Sequence, residues 1–203
     1  FIVDKTKKSK NFKKRLYKNC KKHSAKKSDC IVVFGGDGFM LKNLKKFFKL
    51  NKPFYGVNCG TYGFLMNSSN IDNLEKKINR SKKTTIKSLS VSCSYRNGLK
   101  KNLIAINEIS IFRQSKQTAS LNISVGKKLI IKRLIGDGVL VSTPAGSTAY
   151  NLSVHGPILP LNSGKLAITP ISPFRPRRWK GKIISNKSTV KIKNLNIKKR
   201  PIA

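Results

Sequence analysis

Three polar constellations in this chain have residue types and spacings suited to chemistry. The first is Gly35-Gly36-Asp37-Gly38. It follows the apolar run Cys30–Phe34 and precedes apolar residues at 40, 41, 44, 47 and 48, the spacing of an amphipathic helix. The order reads as strand, glycine turn and helix. Backbone N–H groups at such a turn are unpaired and the helix dipole adds partial positive charge, so the turn can cradle phosphate. A carboxylate repels phosphate, so Asp37 suits that place only as a proton acceptor or a metal ligand. A plain turn with Asp37 as N-cap is the competing reading. The second constellation is Asn107-Glu108, set in the β-rich run Ala105–Ile109. Glu108 can accept two hydrogen bonds, which suits the vicinal hydroxyls of a ribose, and Asn107 can donate and accept. A strand end or bulge with solvated side chains competes. The third runs from Gly136-Asp137-Gly138 through Ser142-Thr143-Pro144-Ala145-Gly146-Ser147-Thr148-Ala149-Tyr150 to Ser153. Its small residues let a ligand approach the backbone, its hydroxyls and N–H groups offer donors, and Tyr150 adds a ring and a phenol.

Together these groups suit phosphoryl transfer, which needs positioning and charge neutralisation more than covalent participation. No GxxxxGK[ST] run is present, so the site is not of the Walker type. A carboxylate beside a hydroxyl orients it and takes its proton, typically contributing about 10²–10⁴ in rate. Lys42, Lys45 and Lys46 lie within about two turns of the cradle and could help, although a solvated face is the better account of them.

The elements that must position these groups follow from periodicity. Phe1–Asp4 reads as a strand and Ser9–Lys22 as a basic helix with Phe12, Leu16, Tyr17 and Cys20 on one face. Next come the Cys30–Phe34 strand, a helix to about Leu50 and a strand at Pro53–Val57. This alternation implies a parallel sheet with helices packed on it, and ligands bind such sheets at the carboxyl ends of strands. Gly35–Gly38 and the Asn58–Leu65 segment both lie at such ends. After a short helix at Ile71–Asn79 the character changes. Thr84–Tyr95 and Leu99–Ile106 form a hairpin through Arg96-Asn97-Gly98. Strands follow at Ile109–Arg113, Leu121–Val125, Leu129–Leu134 and Val139–Ser142, with later ones at Ile183–Ile184 and Val190–Ile197. The expected division is an α/β domain over residues 1–68 and a β-rich domain over 69–203, the last segment able to pack back on the first domain.

Composition narrows the classes. The 203 residues hold 44 Lys+Arg against 7 Asp+Glu, a net charge of +37. Such charge attracts polyphosphate and nucleic acid. Lysine is spread along the whole chain, however, and Asn and Ile are also plentiful, which favours a compositional bias over a nucleic-acid site. No helix-turn-helix, RNP-like or zinc-finger pattern supports a nucleic-acid module. With carboxylates so scarce, Asp37, Glu108 and Asp137 stand out in their apolar or glycine surroundings. Cysteines 20, 30, 59 and 93 lack metal-ligand spacing and read as reduced thiols of a cytoplasmic protein, and His23 and His155 are isolated. No apolar run approaches the length of a membrane span and no signal peptide is visible.

A GGDG turn after a strand, a G-x-x-GF segment ending at Phe64, an Asn-Glu pair and GDG-x-x-x-STPAGSTAY stand here in order. In this the chain resembles the NAD kinase family from about Cys30 to Trp179, and its tail Ile168–Trp179 resembles the bacterial short form. GGDG alone is also found in diacylglycerol and sphingosine kinases. A lipid kinase working at anionic membranes is therefore an alternative, which the STPAGSTAY run and the Asn-Glu pair oppose. The resemblance implies a Rossmann-like parallel α/β domain followed by a β-sandwich domain. It also implies phosphoryl transfer from ATP, or polyphosphate, to the 2′-hydroxyl of the adenosine ribose of NAD, giving NADP. The cofactor would be a divalent metal, Mg²⁺, arriving with ATP, with no dedicated metal-ligand set in the chain. Asp37 would accept the 2′-hydroxyl proton or contact the metal, and Gly38 would let the dinucleotide approach. Asn107 and Glu108 would bind nucleotide hydroxyls and Asp137 the nicotinamide half. Ala145, Thr148, Ala149, Tyr150, Asn151 and Ser153 would line the dinucleotide pocket, with Phe64 near a base. A homodimer or homotetramer is implied, whose pockets can borrow residues from a neighbouring subunit, with no membrane and no specific nucleic acid as partner. Two departures are visible. Ala145 replaces a serine common in the family, and Ile135 stands where some members carry arginine.

Overall fold

The computed structural model describes residues 1–19, 23–61 and 63–203, with the backbone alone for 17–19. Two compact units divide them, Phe1–Lys83 and Thr84–Ala203.

In the first unit, β1 (Ile2–Val3), β2 (Ile31–Gly35) and β3 (Phe54–Asn58) form a parallel sheet with β2 in the middle. Every residue of β2 is buried. The strand alternation explains how. Val32 and Phe34 pack with Leu16, Val57 and Leu74 on one face, while Ile31 and Val33 pack with Met40 on the other. The first face is covered by α1 (Lys7–Asn19), opened by the Thr6 hydroxyl accepting the Ser9 N–H, and by α3 (Leu74–Arg80). The opposite face is covered by α2 (Asp37–Phe47). Phe12 and Leu16 take the inward places expected of them, whereas the side chains of Tyr17 and Cys20 lie outside the described residues. The first unit runs past residue 68 because α3 adds Leu74 and Ile78 to this core.

The second unit is built from antiparallel strands. The hairpin of β4 (Leu89–Ser94) and β5 (Lys100–Ala105) turns through Gly98, whose φ of 81° suits glycine. A four-stranded sheet has the order β11-β10-β9-β6, from β6 (Glu108–Phe112), β9 (Gly138–Ser142), β10 (Lys165–Ile171) and β11 (Lys182–Ser185). A three-stranded sheet has the order β12-β7-β8, from β7 (Ala119–Val125), β8 (Lys128–Gly136) and β12 (Val190–Asn194). The two sheets share one core. Leu121, Ile123 and Leu134 from one meet Val139, Val141, Leu166 and Ile168 from the other, the arrangement of a sandwich. The chain's last residues pair with the free edge of β6, where Phe112 and Ala203 exchange backbone hydrogen bonds of 2.8 Å, so they belong to the second unit. Among the described residues no helix is long and apolar enough to cross a membrane.

Candidate active site

In the first unit the chain leaves buried β2 at Gly35 and enters α2 at Asp37, so the glycine turn stands at the carboxyl end of the central strand. The N-cap is Gly36, with no side-chain cap bond, and Asp37 is therefore not the cap. Its carboxylate is occupied in another way. Oδ2 accepts the Phe64 N–H at 2.8 Å and Oδ1 accepts the Leu65 N–H at 3.0 Å. Each oxygen retains a lone pair, so the group can still take a proton or meet a metal. Met66 and Asp37 also crowd Gly63, where a Cβ would lie 3.0 Å from Met66 and 3.3 Å from Asp37 Oδ1. A Cβ on Gly36 or Gly38 would meet nothing within 4 Å, so the turn has an open face over its unpaired amides. The Phe64 ring is 66% exposed and free to pack on a ligand. Lys42, Lys45 and Lys46 are largely solvated, the Lys46 ammonium lying 5.1 Å from the Phe47 ring.

In the second unit the Asn-Glu pair and the hydroxyl-rich segment are locked together by backbone bonds. The Asn107 carbonyl accepts the Thr143 N–H at 2.8 Å, and the Thr143 hydroxyl donates to the Ile106 carbonyl at 2.7 Å while accepting the Gly146 N–H at 3.1 Å. Gly146 packs so closely on Asn107 that any Cβ would collide with its backbone. This scaffold holds two polar atoms without partners, Asn107 Oδ1 and Glu108 Oε2, both buried. Partial burial also raises the pKa of Glu108 above the ordinary carboxylate value. Two adjacent unsatisfied acceptors are costly unless a ligand donates to them.

The remaining pocket residues divide. Ala145 is buried, Thr148 and Ala149 are half-buried, and Tyr150 and Ser153, in the short helix α4 (Tyr150–Ser153), are exposed and accessible. Asn151, expected in the pocket lining, is fully buried. Its amide donates to the carbonyls of Ser147 and Pro157, and its Oδ1 accepts from the Thr169 hydroxyl at 2.7 Å. Ser147, also fully buried, ties the segment to Leu159. Asp137 stands apart. Glu108 pairs with Ser142 and Phe112 with Gly138, so Asp137 and Asn107 flank opposite ends of the β6–β9 ladder. The Asp137 carboxylate is paired with Arg113. Asp37, Gly38 and Phe64 thus form one group in the first unit, and Asn107, Glu108 and the Thr143–Tyr150 segment form another in the second. The sequence reading missed the Phe64 and Leu65 amides, and their partner lies 27 and 28 residues away, beyond any local signal. Among the described residues no group of three or more His, Cys, Asp or Glu is placed to hold a metal.

Comparisons with known proteins agree along the whole chain. Residues 2–85 match the model of the ATP-NAD kinase N-terminal domain and residues 106–203 that of the ATP-NAD kinase C-terminal domain. The NAD kinase of Brucella suis is 45% identical over 100% of this chain and 79% of its own length. That of Rickettsia felis is 46% identical over 93% of this chain and 73% of its own. The crystal structure of yeast NADH kinase complexed with NADH superposes with a TM-score of 0.69 at 27% identity, over 82% of this chain and 48% of the yeast one. The NAD kinase of Archaeoglobus fulgidus in complex with ATP gives a TM-score of 0.72 over 92% of this chain and 76% of its own; at 24% identity it speaks for the fold alone.

Proposed function

The chain belongs to the ATP-NAD kinase family, and we infer that it is an NAD kinase: it transfers the γ-phosphoryl group of ATP to the 2′-hydroxyl of the adenosine ribose of NAD, giving NADP. The observation that carries this reading is the pair of buried, unpartnered acceptors at Asn107 and Glu108. Ribose hydroxyls are donors of the right kind for them. In the reaction a bond forms between the ribose oxygen and the γ-phosphorus, the bond from that phosphorus to the ADP oxygen breaks, and the hydroxyl proton passes to Asp37. The Phe64 and Leu65 amides hold the Asp37 carboxylate in place for this step. The open face at Gly38 admits the dinucleotide, Phe64 packs on a base, and Ala145, Thr148, Ala149, Tyr150 and Ser153 line its path. Asp137 meets the nicotinamide half, in its own subunit or in a neighbour of a homodimer or homotetramer.

One carboxylate with free lone pairs suits a magnesium ion that arrives on ATP and keeps most of its oxygen ligands from phosphate and water. Asp37 is the residue that would touch it, and the ion would neutralise charge on the transferring phosphoryl group. The cytoplasm is the proposed setting. The test incubates pure protein with NAD and Mg-ATP and detects NADP with an NADP-specific dehydrogenase, with Asp37→Asn alongside. Wild type should make NADP, and the variant should lose about 10²–10⁴ in rate. Equal NADP from both would overturn the role of Asp37; none from wild type, with either ATP or polyphosphate, would overturn the activity.

A further inference from the structure

Lysine dominates this chain, yet three of its nine arginines fall within the four residues 175–178. Lysine is sufficient for a solvated surface; arginine differs in its planar fork of donors and its ability to stack. At 175 and 177 the stacking is in use. The guanidinium carbon of Arg175 lies 5.6 Å from the centroid of the Phe174 ring and that of Arg177 lies 5.7 Å from it. Phe174 is itself 52% exposed. The backbone beneath is fixed. Ile135 donates to the Arg175 carbonyl at 2.8 Å and its own carbonyl accepts from Phe174 at 2.7 Å and Arg175 at 3.0 Å. Trp179, close behind, packs against the sandwich core.

The two guanidinium groups are thus held by a ring rather than by an acceptor. Arg113, Arg133 and Arg200 have hydrogen-bond partners, whereas the guanidinium groups of Arg175 and Arg177 have none among the described residues. The nearby carboxylate of Asp137 is already paired with Arg113. Stacking on a ring face leaves the in-plane N–H donors of a guanidinium free, and two such forks on one anchor match an anion with more than one phosphoryl group.

We propose that Phe174, Arg175 and Arg177 form a binding site for a diphosphate group, with the ring orienting the two guanidinium forks that grip it. The proposed function bears on this only in suggesting that the diphosphate belongs to a nucleotide. Inorganic pyrophosphate carries the same chemistry and is the probe. Calorimetric titration of the full chain at fixed ionic strength should show saturable pyrophosphate binding, weakened about tenfold or more in Arg175→Gln/Arg177→Gln. The double variant Lys191→Gln/Lys193→Gln removes the same charge from exposed positions on β12 and should change binding less than twofold. Arg175→Lys/Arg177→Lys keeps the charge but loses fork and stack, and should fall well below wild type. Fluorescence of Trp179, the chain's single tryptophan, should shift on binding in wild type and in the lysine variant, and at the same pyrophosphate concentration much less in Arg175→Gln/Arg177→Gln. Repeating the titrations with NAD and with ATP identifies the source, as the ligand whose affinity follows the arginine pair. Equal weakening by the arginine and lysine variants, or undiminished binding in Arg175→Gln/Arg177→Gln, would overturn the site. Neither result depends on NADP formation, so failure of the kinase reading would be seen separately.

Discussion

Glu108 and Asp37 are the two carboxylates whose surroundings make them informative, and they are held in opposite ways. Glu108 has a buried oxygen with no donor, whereas both oxygens of Asp37 have one. Burial raises the pKa of Glu108 above its value in the unfolded chain, so the folded protein keeps this proton over a pH range in which the unfolded chain has released it. Its contribution to stability is therefore greatest at acid pH and is lost as pH rises through the raised value. Glu108→Gln should melt higher than wild type at neutral pH, the difference vanishing below the ordinary carboxylate range. The same substitution should weaken NAD binding, because an amide cannot accept at both positions, and wild-type affinity should fall as Glu108 protonates. A variant less stable than wild type at neutral pH would refute the argument. For Asp37 the bonds to Phe64 and Leu65 predict a second effect of Asp37→Asn besides lost activity. One of the two amides would face an N–H instead of an oxygen, so hydrogen exchange at Phe64 or Leu65 should accelerate while β2 exchanges as before. Unchanged exchange at both would mean that Asp37 does not brace this loop.

At the scale of elements, two glycines of the site answer to different constraints. Gly38 lies in the first turn of α2 with open space where a Cβ would go, and Gly146 abuts the Asn107 backbone. Gly38→Ala should leave the fold intact or stabilise it by up to about 1 kcal/mol through helix propensity, yet raise the KM for NAD by filling the ligand's approach. Gly146→Ala should cost about 1–3 kcal/mol from overpacking, read in urea melts, and disturb Asn107 with it. The reverse pattern would show that Gly38 serves packing rather than access. Such contrasts were only partly legible in the sequence. The buried β2 run, the hairpin at Gly98 and the alternating strands of the sandwich are visible because local periodicity and turn chemistry encode them. Strand β10 was not, since Pro170 argues against a central strand. It is tolerated because β11 pairs only with residues 165–168, leaving the β11-facing edge of β10 unpaired at Pro170. Asn151 was legible as a polar residue in a functional segment but not as a fully buried tie, because its partners Pro157 and Thr169 belong to contacts that no spacing reveals.

Over the whole molecule the charge of +37 has consequences that no single site carries. Asp72 and Asp137 are paired with Arg15 and Arg113, and so few carboxylates cannot neutralise 44 basic residues. Like charges then repel across each unit's surface in the folded state more than in the expanded chain, where they stand farther apart. Screening acts on this repulsion directly, since the Debye length shrinks from about 30 Å at 0.01 M salt to about 10 Å at 0.1 M. The melting temperature should therefore climb by several degrees over that range. The same salt should raise KM for NAD and for Mg-ATP, because the basic surface that destabilises the fold also draws anionic substrates toward it. Stability and substrate capture thus move in opposite directions with one variable, a signature that specific ion pairs would not produce. A melting temperature that falls with added salt would mean that paired charges, not repulsion, dominate the surface. A KM indifferent to salt would mean that the basic residues lie too far from the substrate path to steer it.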